Sequence, residues 1–162
     1  MQIRPFAPED EVAVIDLWRK CGLVRPPNDP QSDIGRKLEV RADLFLVGVL
    51  GDRRVATVMA GYEGHRGWLN YLAVDPEFQR RGFGRRMVAE AERRLLQSGC
   101  PKVNLQIRSS NSSVIEFYRR IGYSVDDVVS MGKRLVSDTA PSSPSLGRAH
   151  GPGPNAPQAG ER

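Results

Sequence analysis

The stretch Val74-Asp75-Pro76-Glu77-Phe78-Gln79-Arg80-Arg81-Gly82-Phe83-Gly84-Arg85-Arg86 passes from an apolar strand into a long helical pattern, and it decides the prediction of the fold. The first four N–H groups of a helix lack partners within it, and the helix dipole adds partial positive charge there. Glycines without side chains let an anion approach the main chain closely. The stretch therefore predicts a pyrophosphate site at the start of a helix, surrounded by arginines.

The glycine spacing leaves a second interpretation open. The pattern Gln-x-x-Gly-x-Gly matches neither the dinucleotide fingerprint G-x-G-x-x-G nor a P-loop, because no Lys-Ser/Thr pair follows. A glycine turn that leads into a surface helix with a solvated arginine face would give the same pattern. The stretch alone does not choose between the two.

Bulk properties limit the protein class. A chain of 162 residues with two cysteines and a net charge of +5 predicts one domain with reduced thiols and acidic ligands, either nucleotide-like cofactors or nucleic acid. The N-terminus lacks the apolar core of a signal peptide, and the longest apolar stretch, Leu44 to Leu50, is too short for a membrane helix. We therefore expect a cytoplasmic protein without membrane contact.

Periodicity predicts the element order. The expected strands span 3–6, 44–50, 55–61, 68–74 and 102–108, and the expected helices span 8–21, 30–40, 85–98 and 112–121. Asp29 and Asn111 are the expected N-caps of two helices. A closing hairpin is expected over 123–129 and 130–136. Because a helix joins the strands 68–74 and 102–108, these two should be parallel, and ligands bind at the strand ends of such pairs.

The predicted fold is therefore an α/β (mixed α+β) domain over residues 1–136. Its sheet is mostly antiparallel, with one parallel strand pair, and is flanked by helices. Residues 137–162 are rich in Pro, Gly and Ser without periodicity, which predicts a disordered tail.

Two separated motifs resemble the GCN5-related N-acetyltransferases, the GNAT family. Gln79-Arg80-Arg81-Gly82-Phe83-Gly84 resembles the family's acyl-CoA pyrophosphate loop. Asn111-Ser112-Ser113-Val114-Ile115-Glu116-Phe117-Tyr118-Arg119-Arg120-Ile121-Gly122-Tyr123 resembles its N-x-x-A-I-x-F-Y-x-x-x-G-F segment, with Val114 in place of the usual alanine. Arg25-Pro26-Pro27-Asn28-Asp29-Pro30 is similar to the bacterial YpeA-like branch. The resemblance implies an acyl-CoA N-acyltransferase fold and acetyl-CoA as co-substrate, with no metal.

The resemblance also implies which residues hold the cofactor. Main-chain N–H groups from Arg80 to Arg85 would bind the pyrophosphate. The strand around Leu72 and Val74 would pair with the pantetheine amides through a free edge, which opens where the strands 68–74 and 102–108 splay apart. The Leu72 N–H would polarise the thioester carbonyl. Asn111 would contact the pantetheine arm, cap its helix, or do both. The implied cofactor-binding residues are Leu72, Val74, Gln79, Arg80, Arg81, Gly82, Phe83, Gly84, Arg85 and Asn111.

Tyr118 is the implied catalytic residue. An amine attacks the thioester and a thiolate leaves, and a phenol with a pKa of about 10 is able to protonate a sulfur whose thiol pKa is about 8.5. The alternative is a core aromatic residue with its hydroxyl at the rim. The amine must lose a proton, for which Glu63, His65, Asp75 and water are the candidates. Trp68 stands where some members of the family carry a glutamate base.

The acceptor implied by the resemblance is a small-molecule or peptide amine, and a homodimer is plausible. Two other functions remain open at this stage. One is a non-catalytic acyl-CoA-binding or sensor domain. The other is nucleic-acid binding by the arginines, which is disfavoured because no aromatic residues are interleaved with them.

Overall fold

A five-stranded sheet forms the centre of the protein in the computed structural model, which describes residues 1–26, 28–136 and 138. Its strands are β1 (Gln2–Pro5), β2 (Phe45–Leu50), β3 (Arg53–Tyr62), β4 (Gly67–Val74) and β5 (Val103–Asn104). They lie side by side in chain order, and all neighbours are antiparallel except β4 and β5, which are parallel. This mixed sheet confirms the predicted fold class.

Four α-helices flank the sheet: α1 (Glu11–Lys20), α2 (Pro30–Glu39), α3 (Phe83–Gln97) and α4 (Ser112–Arg120). Both predicted caps are present. The Asp29 carboxylate accepts a hydrogen bond from the Ser32 N–H at 2.8 Å, and the Asn111 side chain accepts one from the Val114 N–H at 3.3 Å. Because such caps satisfy donors that the helix itself leaves free, local sequence fixes where α2 and α4 begin.

The two faces of the sheet bury separate apolar clusters. On one face, α3 and α4 pack Met87, Val88 and Tyr118 against the strands. On the other, α1 and α2 contribute Trp18 and Ile34. Alternate side chains of a strand point to opposite faces, and β2, β3 and β4 contribute residues to both clusters.

A buried carboxylate ties the start of α1 to the sheet. Asp10 is fully buried and accepts hydrogen bonds from Arg4 at 2.6 and 2.8 Å, from Arg54 at 2.7 Å and from the Ala7 N–H at 2.9 Å. Burial alone would raise the pKa of Asp10, but these donors outweigh it and hold the pKa well below its usual range. Asp10 is therefore charged at neutral pH.

Fewer residues after α3 form strands than the sequence predicts. Of the strand expected over 102–108, only Val103–Asn104 pairs, and the hairpin expected over 123–129 and 130–136 is wrong, since residues 123–136 contain no strand. Side-chain contacts such as Lys102 to Asp126 at 2.6 Å replace a ladder there. Alternation indicates extended backbone, but a strand also needs a hydrogen-bonded neighbour. The predicted tail lies outside the described residues, apart from Asp138.

No helix within the described residues has the length and apolarity needed to cross a membrane.

Candidate active site

The parallel strands β4 and β5 are joined only where both begin. Gly67 lies opposite Val103 and Trp68 lies opposite Asn104, and the Gly67 N–H donates to the Lys102 carbonyl at 2.8 Å. Beyond Trp68, the rest of β4 pairs with β3 alone in the part of the chain that the structure describes. A wedge-shaped gap therefore opens in the sheet, with its vertex at the Trp68–Asn104 pair.

A β-bulge shapes the β4 side of this gap. The register between β3 and β4 shifts between Thr57 and Met59, so that Val58 lies opposite both Tyr71 and Leu72. Tyr71 has a φ of 51°, a left-handed conformation that residues other than glycine adopt rarely. Bulges disrupt the ladder locally and are common beside active sites. Here the bulge takes the main chain at Leu72 out of the regular ladder, next to the gap.

Buried hydrogen bonds hold the bulge in place. The indole N–H of Trp18 donates to the Thr57 hydroxyl oxygen at 2.9 Å, and the Thr57 hydroxyl donates to the Tyr71 carbonyl at 2.9 Å. The Trp18 and Tyr71 rings stack with centroids 4.0 Å apart. The Tyr71 hydroxyl donates to the Asp33 carboxylate, and burial together with that bond raises the pKa of Tyr71. These contacts were not predicted from the sequence. The sequence feature that could have indicated them is Thr57, a polar residue within an apolar strand.

The segment between β4 and α3 presents a row of unoccupied main-chain donors. Arg80 and Gly82 have φ of 59° and 77°. None of the hydrogen bonds within the described residues uses an N–H group of residues 80–85, and the first α-helical bond runs from the Arg86 N–H to the Gly82 carbonyl at 3.1 Å. These donors lie at the positive end of the α3 dipole. N–H groups at the start of a helix are a common environment for anions in proteins.

Neighbouring side chains fix the shape of this loop. The Gln79 amide donates to the Val74 carbonyl at 3.1 Å, so this residue, expected to bind the cofactor, also fastens the loop to β4. The Arg53 and Arg81 guanidinium groups lie 4.7 and 5.2 Å from the centroid of the Phe78 ring. Cation–π contacts of this kind keep the positive groups beside the free donors.

Tyr118 borders a cavity of about 1540 Å³ that also touches Trp68 and Asn104. Its side chain is 6% exposed and meets the rings of Phe117 and Tyr123 edge to face, with centroids 5.0 and 5.2 Å away. No hydrogen bond between described residues involves its hydroxyl. Burial, with a smaller effect of a nearby carboxylate, raises the pKa of Tyr118. The phenol is therefore protonated at neutral pH and available as a donor.

The structure does not bring the three candidate bases together. Glu63 and His65 lie in the turn before β4, whereas Asp75 follows the far end of that strand. The Glu63 carboxylate accepts the Arg66 N–H at 2.8 Å, which lowers the pKa of Glu63. Asp75 is buried, accepts the Glu77 N–H at 3.0 Å and lies 3.5 Å from the Lys20 amine. Asp75 thus shapes the loop, and the turn lies nearer the vertex of the gap.

Two further expectations concern Asn111 and metals. The Asn111 oxygen caps α4, as the sequence predicts, and also accepts the Ser113 hydroxyl at 3.2 Å. Within residues 1–26, 28–136 and 138, no group of three or more His, Cys, Asp or Glu side chains is arranged to hold a metal ion.

Comparison with known proteins gives consistent results. The family model described as acetyltransferase (GNAT) family matches residues 11–123. An acetyltransferase of Pectobacterium atrosepticum is 45% identical over 138 residues, which cover 85% of this chain and 98% of that protein.

Two solved structures illustrate the shared fold. The ribosomal-protein-S18-alanine N-acetyltransferase from Escherichia coli aligns with a TM-score of 0.62 at 19% identity, over 75% of this chain and 76% of its own. AAC(6')-Iy, in complex with the bisubstrate analog CoA-S-monomethyl-acetylneamine, aligns with a TM-score of 0.68 at 18% identity, over 82% of this chain and 97% of its own. At such identities the likeness establishes the fold.

Proposed function

Because this chain belongs to the acetyltransferase (GNAT) family, we propose that it is an N-acetyltransferase that moves the acetyl group of acetyl-CoA directly to a primary amine in a ternary complex. The observation that carries the proposal is the row of unoccupied N–H groups at residues 80–85 beside the gap between β4 and β5. These donors suit a pyrophosphate, and the gap suits an extended pantetheine arm. We place the catalytic domain at residues 1–136.

In this proposal the β4 side of the gap holds the thioester. The pantetheine amides pair with the free edge of β4 near Val74, and the Leu72 N–H, which lies at the bulge, polarises the carbonyl. The pantetheine arm is bordered by Leu72 and Val74 of β4 and by Phe83 and Gly84 of α3. A Cβ on Gly84 would lie 3.4 Å from the Phe117 ring, so glycine at this position lets α3 and α4 approach each other beside the cofactor. Arg85 and Asn111 lie at the starts of α3 and α4, where they flank the arm.

Tyr118 acts as the general acid. The neutral amine attacks the thioester carbon, the carbon–sulfur bond breaks, and the sulfur takes the phenolic proton. The surplus proton on nitrogen leaves to water, which returns a proton to Tyr118, so that amine and acetyl-CoA become amide and free thiol. We assign no side chain as base. The Asp75 carboxylate accepts the Glu77 N–H in the segment between β4 and α3, and Glu63 and His65 lie in the turn before β4. Water serves instead.

The experiment is release of free thiol from acetyl-CoA, measured across a panel of small amines and peptide N-termini. We expect turnover with at least one amine. Calorimetric binding of acetyl-CoA without turnover of any amine would favour a sensor domain and contradict the enzyme.

We also propose that two copies of the chain associate. The extended segment after α4 leaves Val128, Val129 and Met131 exposed at 77%, 88% and 91%, beside the short edge strand β5. Residues 137–162 contain Leu146 as their one large apolar residue. A second copy offers the same segment to the same edge, as a two-fold interface requires.

Light scattering tests this association. We expect a dimer for the wild type and a monomer for Val129→Asp. Val12→Asp is the matched control, because Val12 is 75% exposed on α1 and should leave the dimer intact. A monomeric wild type would contradict the proposal.

A further inference from the structure

A buried side-chain oxygen atom lacks a hydrogen-bond partner within residues 1–26, 28–136 and 138. Among the described residues, the side-chain oxygen Oδ1 of Asn104 is the single buried side-chain nitrogen or oxygen atom without a hydrogen bond. Leaving an amide oxygen without water and without a donor is unfavourable, and most such oxygens in native proteins are satisfied. An exception in a protein that binds small molecules points to a ligand that supplies the missing donor.

The position of Asn104 agrees with a ligand contact. It is the β5 residue at the vertex of the gap, opposite Trp68, and it lines the same cavity as Tyr118. Its strand neighbours Val103 and Leu105 pack against the cluster under α3 and α4, to which Tyr118 belongs. Alternation therefore places the Asn104 side chain on the opposite face of the sheet.

We infer that Asn104 Oδ1 accepts a hydrogen bond from the attacking amine of the acceptor, an inference that rests on the proposed function. A thioester in the gap has Tyr118 on one side to protonate sulfur, and the nucleophile reaches the carbonyl carbon from the Asn104 side. An oxygen acceptor at that point fits an amine N–H. As the nitrogen–carbon bond forms, the nitrogen becomes more positive, so the hydrogen bond strengthens towards the transition state. Asn104 orients the amine and takes no proton.

Charges around the cavity narrow the class of acceptor. Four cationic residues line it, against two carboxylates, of which Glu92 accepts the Tyr123 hydroxyl at 2.7 Å. The cationic residues are Arg93, Lys102, Arg108 and Arg119. Two of the cations are paired, since the Lys102 amine lies 2.6 Å from Asp126 and Arg93 lies 2.6 Å from Glu90. Among the described residues, the excess positive charge is therefore carried by Arg108 and Arg119. A positive surround repels acceptors with several ammonium groups. The acceptor is therefore a monoamine with a neutral or anionic remainder, such as an amino acid or a peptide N-terminus.

The kinetic test uses Asn104→Leu, a substitution of similar size, with Gln97→Leu as control, because Gln97 is an exposed side-chain amide at the end of α3 outside the cavity lining. With glycylglycine as acceptor, we expect kcat/KM to fall about tenfold to a hundredfold, as for loss of one hydrogen bond to a charged group. KM for acetyl-CoA should change less than about twofold. Spermidine should be a poorer acceptor than glycylglycine for the wild type.

Thermal unfolding separates this role from a structural one. Asn104→Leu removes an oxygen that has no partner in the unliganded protein, so its Tm should equal or exceed that of the wild type. A clear fall in Tm, or an unchanged kcat/KM for the amine, would overturn the inference. Spermidine turned over faster than glycylglycine would overturn the assignment of the acceptor class.

Spectroscopy tests binding without turnover. The side-chain amide signal of Asn104 in a ¹⁵N-labelled sample, identified by its loss in Asn104→Leu, should shift when glycylglycine is added to the protein saturated with coenzyme A. A shift in a protein that acetylates no amine would support the contact and contradict the proposed function. Turnover of glycylglycine without a shift would contradict the contact and leave the proposed function in place.

Discussion

Thr57 links the hydrophobic core to the bulge in β4, and replacing it with valine tests that link. The side chain is fully buried, receives the Trp18 N–H and donates to the Tyr71 carbonyl, each at 2.9 Å. Valine has nearly the same shape, so Thr57→Val leaves no cavity. It does leave an indole N–H and a carbonyl without partners in a buried place. The change therefore isolates the hydrogen bonds from the packing.

The expected loss of stability follows from those two groups. A buried polar group left unsatisfied costs about 1–3 kcal/mol, so the free energy of unfolding should fall by about 2–6 kcal/mol. For a chain of this size each kcal/mol lowers Tm by roughly 2–4 °C, so Tm should fall by at least about 4 °C. Thr57→Ser is the matched control, because it keeps both hydrogen bonds and loses one methyl group, at about 0.5–1.5 kcal/mol.

The activity of Thr57→Val tests whether the bulge positions Leu72. If the hydrogen bonds from Trp18 through Thr57 to Tyr71 fix the left-handed conformation of Tyr71, kcat should fall. KM for acetyl-CoA should stay close to the wild-type value, since the loop over residues 80–85 is untouched. Urea unfolding and thiol release measure the two effects on the same samples. If Thr57→Val and Thr57→Ser have equal stability and equal kcat, the two hydrogen bonds of Thr57 do not position the bulge.

Four other predictions concern separate features. Tyr118→Phe should lower kcat by about 10²–10⁴-fold and leave calorimetric binding of acetyl-CoA intact; unchanged turnover would remove the general acid. Because burial raises the pKa of Tyr118 and the protonated form is needed, kcat should show no falling limb up to about pH 10. Ionised Asp10, whose pKa is lowered in the folded state, stabilises the fold above about pH 4. That stability is lost as the pH falls through the folded-state pKa of Asp10. Asp10→Ala should lower the free energy of unfolding by about 3–5 kcal/mol at pH 7, measured by urea unfolding. Gly67→Ala should cost about 1–3 kcal/mol, since its Cβ would lie 2.8 Å from the Cys100 sulfur.

Elements with local signals were predictable from the sequence. Asp29 and Asn111 stand at the N-caps of α2 and α4 because their side chains satisfy donors a few residues away. Apolar runs bounded by turn residues identified the first four strands to within a few residues, and Gly82 adopts the left-handed conformation that its residue type favours. In each case the decisive interaction lies within one turn or one strand.

Features that depend on distant residues were not predictable. Tyr71 has a positive φ although tyrosine does not favour it, and what holds it is a hydrogen-bonded chain from Trp18 through Thr57, residues far away in sequence. A bulge is set by the register with the neighbouring strand, which no single-strand pattern reports. The sequence therefore indicated a plain strand where the structure has a distortion beside the proposed thioester site.

The splayed pair of β4 and β5 was predicted through the family resemblance, but no pattern in the residues themselves indicates the gap. Residues 102–108 alternate as a strand should, yet only Val103 and Asn104 pair with β4. Side-chain alternation reports which face each residue occupies, whereas pairing depends on whether a neighbour lies within hydrogen-bonding distance. A site formed by separation of two strands is thus encoded by missing pairing, not by a residue type. For the same reason alternation placed Asn104 on a face but gave no sign that its oxygen would be buried without a partner.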